Sequence, residues 1–264
     1  MQPQPCKNCE NTFEGNFCSN CGQKVNTVRL NWHYLKDEFK YVFLHVNKGL
    51  LYTAKQLFIR PGDTVREFIE GKRVQHYKPI LMLFVLAGIN GLIMHFFPAE
   101  KFIYPNSTNA LSASKQIEIT KKLMDLLSSH YTLFELILLP IYSFCSWLAF
   151  KKYGYNYIEN IIINCYATSL RLMIGILFFP IQYLLLNSPY LILISFLTMI
   201  PSIGYTIWLI VQLYKDKDLG NVILRMLLFC FNLALFALLL FIIGIFILVF
   251  LAKSGYIDKS MFIG

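Results

Sequence analysis

The sequence predicts an all-α integral membrane protein with about five transmembrane helices, preceded by a small four-cysteine zinc ribbon and short amphipathic interfacial helices. Three observations lead there. Of 264 residues, 56% are hydrophobic and only 15% are charged, whereas a soluble domain carries about 25% charged residues. The first 78 residues hold 12 of the 24 Lys and Arg, and the remainder of the chain contains long apolar stretches without a charge. Four of the 7 cysteines form two Cys-x-x-Cys pairs near the start of the chain. The net charge of +9 would suggest nucleic acid in a soluble protein. In a multi-pass protein the same excess arises from basic residues that hold segments on the cytoplasmic side.

The ribbon occupies residues 1–25. CKNC and CSNC place Cys6, Cys9, Cys18 and Cys21 on either side of ENTFEGNF, with Gly15 suited to the turn between them. Each pair forms a knuckle with both thiolates on one side, and two knuckles enclose one tetrahedral ion, for which zinc is the natural choice. So short a segment buries too little apolar area to fold alone, so metal binding and folding should coincide. Two disulfides are the alternative, disfavoured in a reducing cytosol, and redox iron is another. Four cysteines leave no open coordination position, so the ion is structural rather than catalytic. Lys7 and Lys24 cancel Glu10 and Glu14, leaving no basic face for a phosphate backbone. The expected ligand of the ribbon is a protein partner, with no nucleic acid involved.

Residues 26–78 read as an amphipathic helical connector. Trp32, Leu35, Phe39, Val42 and Val46 share one helical face, and Leu50, Leu51, Ala54, Leu57 and Phe58 belong to a second helix ending at Arg60-Pro61-Gly62. Thr64 and Glu67 have capping-box spacing and predict a third helix that Gly71 closes. Such helices often lie in the bilayer interface, and packing against the spans or a partner is the other option. Arg60, Arg66, Lys72, Arg73 and Lys78 are candidate contacts for lipid head groups or a partner, and the basic cluster before the first span also serves as a positive-inside anchor.

The ribbon CKNC…FCSNCGQK followed by NKGLLYTAKQLFIRPGDTVREFIEGKRVQHYKP resembles a bacterial family defined by a domain of unknown function, numbered three-six-six-seven. The likeness covers residues 6 to about 79, and YNYIEN at 155–160 is similar to a polar stretch such proteins carry before a later span. It implies a ribbon joined to a multi-pass body and a membrane-associated protein of no established activity.

The transmembrane domain is predicted over 79–264, with spans at about 79–97, 131–150, 161–186, 191–214 and 222–252, each near the 20 residues a bilayer requires. No secretory signal is read at the start, which places the N-terminus in the cytosol. An odd number of spans then puts the C-terminus outside, and Lys and Arg divide 17 cytoplasmic to 6 external in that orientation. The expected location is a bacterial inner membrane. Pro140, Pro180 and Pro201 predict kinks, and 114–128 predicts a small helix in the external loop.

Charges at lipid depth mark function or structural bridges. Arg171, Glu135 and Asn164 form the candidate intramembrane polar site, with Glu135 the nearest acid to Arg171 among the intramembrane polar residues but close to the outer end of its span. No nucleophile elbow, phosphate loop or metalloprotease helix is present, so the expectation is a protein that is not an enzyme. Two readings remain: an adaptor or scaffold presenting the ribbon to a protein partner, and a transport or lipid-handling protein built around Arg171. The bundle is also compatible with a homo-oligomer.

Overall fold

The computed structural model describes residues 3–25, 27, 29–34, 49–96, 131–185, 188 and 190–253. Most of the first predicted connector helix, at 35–48, and the loop helix at 114–128 lie outside the described residues.

The cysteine-bearing segment at 3–25, for which a ribbon is expected, is two small hairpins built on one plan. In the first, β1 (Gln4–Pro5) pairs antiparallel with β2 (Thr12–Phe13), and in the second Phe17 bridges Lys24. The Glu10 N–H donates to the Cys6 carbonyl and the Gly22 N–H to the Cys18 carbonyl, both at 2.8 Å, so each knuckle closes with the same bond. Glu10 (φ +61°) and Gly22 (φ +72°) hold the equivalent left-handed position, which glycine adopts at no steric cost.

In the connector, α1 (Leu50–Ile59) and α2 (Pro61–Glu70) are separated by Arg60 alone. Helix α2 begins at Pro61 and not at a capping box on Thr64. Proline fits the first helical position, where its missing N–H has no partner to lose. Thr64 is consequently inside the helix, buried, with its hydroxyl donating to the Arg60 carbonyl at 2.8 Å. Gly71 at φ +114° closes α2 as expected.

The apolar face of α2 packs onto the bundle rather than being left for a bilayer interface. Pro61, Gly62, Val65, Phe68 and Ile69 are buried there. The contact with α6 (Leu191–Leu213) is backbone to backbone at Gly62, where an added Cβ would lie 2.6 Å from the Leu209 carbonyl oxygen and nearer still to the Leu213 nitrogen. Gln212 fixes the register, its Oε1 accepting from the Gly62 N–H at 2.8 Å and its Nε2 donating to Asp63 at 3.1 Å.

The other long helices are α3 (Pro79–Phe96), α4 (Tyr131–Phe150), α5 (Tyr157–Leu184) and α7 (Leu219–Lys253). Helices α4 to α7 are long and apolar enough to cross a membrane, whereas the apolar part of α3, Pro79–Ile93, is shorter. The described residues therefore hold four candidate spans where the sequence suggested about five. Helix α5 is central, with Ile162, Cys165, Tyr166 and Leu170 fully buried among α3, α4 and α6. It starts at Tyr157, ahead of the predicted 161, because Asn156 and Glu159 form a reciprocal capping box that the polar residues of YNYIEN disguise in a hydropathy reading. Pro140, Pro180 and Pro201 all lie inside continuous helices.

Helix α7 is outermost and exposed along most of its length. Its 35 residues extend about 52 Å at 1.5 Å per residue, beyond the ~30 Å hydrocarbon core. It is held to α4 by polar side chains reaching helix carbonyls: Arg225 Nη1 to Ala149 at 3.1 Å and Asn232 Nδ2 to Cys145 at 3.3 Å.

Candidate functional site

Three groups of residues carry chemistry, and the first is the cysteine cluster. All four Sγ atoms lie within 4.8 Å of one another, with Cys6 and Cys21 at 3.5 Å and Cys9 and Cys18 at 3.6 Å. A tetrahedron of metal–sulfur bonds of about 2.3 Å separates its sulfurs by roughly 3.8 Å, so the set fits one metal ion. The Asn8 N–H donates to Cys6 Sγ at 3.4 Å, support that steadies a thiolate. Against its burial, the backbone N–H groups of Cys21 and Asn20 bring the Cys18 thiol down to about 6. Burial pushes Cys21 up to about 11, so metal loading releases protons.

The second group joins ribbon to bundle, and its pairings have no signature in the sequence. Gln23 is buried in the seam and its Nε2 donates to the Gly71 carbonyl at 2.7 Å, at the end of α2. Thr27 and Lys7 press on the same glycine, which has no room for a side chain. Arg29 grips Glu159 with Nε to Oε1 at 2.9 Å and Nη2 to Oε2 at 3.0 Å, and its Nη2 also reaches the Gly154 carbonyl at 2.7 Å. Glu159 is almost fully buried and accepts in addition from the Asn156 N–H at 2.7 Å. Asn156 Nδ2 in turn donates to the Leu30 carbonyl at 3.0 Å.

The candidate cations of the connector have partners within the chain. Arg60 binds Glu67 bidentately at 2.8 and 3.1 Å, and Lys72 stands 3.9 Å from the same carboxylate. Arg66 reaches Asp216 at 2.8 Å and the carbonyls of Gln212 and Leu213 at the end of α6. There the cation also complements the helix dipole. Arg73 lies over the rings of Tyr34 and Phe68 at 5.2 and 5.6 Å. Lys78 immediately precedes α3, and its carbonyl accepts from the Met82 N–H at 2.8 Å. The buried His76 points Nε2 at Glu67 from 3.4 Å. Burial holds this imidazole below its usual range despite that carboxylate. Burial also raises the Glu67 carboxyl, but Arg60 and Lys72 prevail and its net position is low.

The third group lies inside the bundle. Arg171 Nη2 donates to Glu135 Oε1 at 3.2 Å and to Thr168 Oγ1 at 2.9 Å, so the acid is within reach although it stands near the end of its helix. Glu135 Oε2 is buried without a hydrogen-bond partner among the described residues. Both residues line a cavity of about 330 Å³ together with Asn164, Tyr142, Ser146 and Thr206. Asn164 is partly committed, donating to the Asn160 carbonyl at 2.9 Å and to Ser146 Oγ at 3.3 Å. At the ribbon end the cavity is closed by Phe150 and Tyr214, stacked with centroids 4.9 Å apart.

Residues 47–90 match the model of a protein family of unknown function, DUF3667. The DUF3667 segment runs from the end of the connector's first part through α1, α2 and most of α3, so it includes the Arg60–Glu67–His76 cluster and excludes the cysteines. Neither a curated protein nor a solved structure matches the chain.

Proposed function

We propose that the protein is a non-enzymatic adaptor or scaffold of the bacterial inner membrane, with its N-terminus cytoplasmic, its C-terminus external and one structural zinc ion in the ribbon. The supporting observation is the way the ribbon is held. Its four cysteines are close enough to saturate a tetrahedral ion, which would leave no position for substrate. Gln23, Thr27 and Arg29 fasten one side to the bundle, while Phe17 stands 60% exposed. A ribbon clamped by one face and bearing an exposed aromatic on another is suited to hold a protein partner, since buried aromatics dominate interface energies. The test is capture of the tagged chain from its membrane in mild detergent, comparing wild type with Phe17→Asp, whose cysteines and seam are intact. A stoichiometric protein present with wild type and absent from the metal-loaded variant is expected; identical material from both would sink the docking role.

A second reading, small-molecule transport or lipid handling with the ribbon as an assembly element, is favoured by the cavity around Arg171 and Glu135. Its test is flux or lipid movement in proteoliposomes, which Arg171→Ala should abolish while leaving insertion intact.

A further inference from the structure

The cavity between α4, α5, α6 and α7 is polar on one side and apolar on the other. Glu135, Tyr142 and Arg171 mark the polar end, while Leu209, Leu213 and Phe229 supply apolar wall. Glu135 and Phe150, which both line it, are 15 positions apart on α4, so the cavity follows about 22 Å of helix. Its length suits a chain-like occupant better than a compact solute. Thr206 and Ile210 on α6 and Phe229 and Leu233 on α7 are only half buried, so the cavity reaches the apolar outer surface between those helices.

The polar end has unused bonding capacity of both signs. Glu135 Oε2 is buried with no donor among the described residues, and a carboxylate oxygen in that condition is costly unless something donates to it. Arg171 meets Glu135 through one nitrogen only and uses that same Nη2 on Thr168, which leaves other guanidinium N–H groups for an acceptor. A ligand that completes both would present a donor, best a charged one, to Glu135 and an anionic oxygen to Arg171. A phosphate beside a primary ammonium does this within one head group. A quaternary ammonium has no N–H to donate, and an anionic head group without a cation leaves Glu135 facing like charge.

We propose that this cavity is a binding site for a phospholipid of the phosphatidylethanolamine class, with its ammonium on Glu135, its phosphate on Arg171 and an acyl chain along Leu209 and Leu213. The site rests on, and gives a ligand to, the lipid-handling reading above.

Full-length protein stripped of lipid in detergent is titrated with phosphatidylethanolamine, phosphatidylcholine, phosphatidylglycerol and soluble phosphoethanolamine, and bound molecules are counted by native mass spectrometry. The ethanolamine lipid should bind about tenfold more tightly than the other two lipids, as expected for one charge-assisted hydrogen bond. Glu135→Gln should bring it to parity with the choline lipid, and Thr206→Phe, which fills the cavity while keeping both members of the ion pair, should reduce retention of every lipid. Equal binding of choline and ethanolamine lipids to wild type overturns the proposal, as does a preference that survives in folded Glu135→Gln. Phosphoethanolamine binding as tightly as the lipid would identify a soluble ligand and overturn the lipid. If Glu135→Gln does not fold, the head-group series and Thr206→Phe decide. Lipid movement in proteoliposomes separates the two ideas: selective binding without movement removes the handling reading and keeps the site, and movement without selectivity does the reverse.

Discussion

Two arginine–glutamate pairs in this chain look alike in sequence and differ in kind. Arg29 and Glu159 meet through two parallel bonds and the Asn156 N–H adds a third, so each carboxylate oxygen has at least one donor. Arg171 and Glu135 share a single 3.2 Å contact, and one carboxylate oxygen has no donor among the described residues. Both pairs border open space, the first in a cleft of about 380 Å³ at the seam and the second in the cavity of about 330 Å³ inside the bundle. A carboxylate with a donor on each oxygen suits a joint that stays shut, and one with a buried oxygen left over suits a site that receives something. The identity of the residues does not distinguish these roles; the count of unmet donors and acceptors does.

The contrast can be broken most severely at its metal anchor. Cys6→Ser/Cys9→Ser should reduce bound metal from about one equivalent to near zero and unfold the ribbon, with elemental analysis and limited proteolysis as the readouts. The α4–α7 bundle should survive, and loss of the whole fold would show that seam and bundle are one unit. Next in size is Gly62→Ala, which inserts a methyl group against the α6 backbone and should lower stability by about 1–3 kcal/mol or more, measured as a drop in the thermal midpoint. Arg29→Ala strands a buried carboxylate, but Arg29 itself is largely exposed. Solvent screening then limits the loss to about 1–3 kcal/mol. The matching change at the second site, Arg171→Ala, should weaken retention of every phospholipid, whose phosphate it holds, in addition to lowering stability, and an effect on stability alone would make the two pairs equivalent.

The smallest expected effect is on pH. The His76 imidazole is depressed in the fold, so the unfolded chain takes up its proton first, and stability should decline as pH falls through about 6.5. Glu67 is also held low, so its contribution is present above about 4.5 and is lost as pH falls further. Both act in the same direction. His76→Gln should flatten the upper part of the decline in a series of denaturant midpoints, and an unchanged profile would remove His76 from the account.

The legible part of the molecule is the part with local causes. Cysteine spacing locates the cysteine cluster, long apolar runs locate the helices, and the left-handed requirement at Gly71 locates the end of α2. Errors arise where two local signals compete. Thr64 and Glu67 imitate a cap while Pro61 begins the helix, and the Asn156–Glu159 box hides in a stretch whose polarity points to a loop. The seam is illegible for a different reason. Arg29 and Glu159 are 130 positions apart, and nothing near either residue names the other. Nor does hydropathy separate the amphipathic face of α2 that meets α6 from one that would meet lipid; only the absence of a side chain at Gly62 hints at close backbone approach.

That separation along the chain has a consequence for how the protein is made. At a synthesis rate of about 5–20 residues per second, the partner of Arg29 emerges roughly 6–26 s after Arg29 itself, and Gln212, which locks α2, comes later still. The ribbon can take its metal early, because all four ligands lie within the first 21 residues, yet it has nothing to close against until α5 and α6 exist. A nascent chain therefore carries a finished head on an open hinge for most of its translation, and shutting the seam is among the last events of its birth.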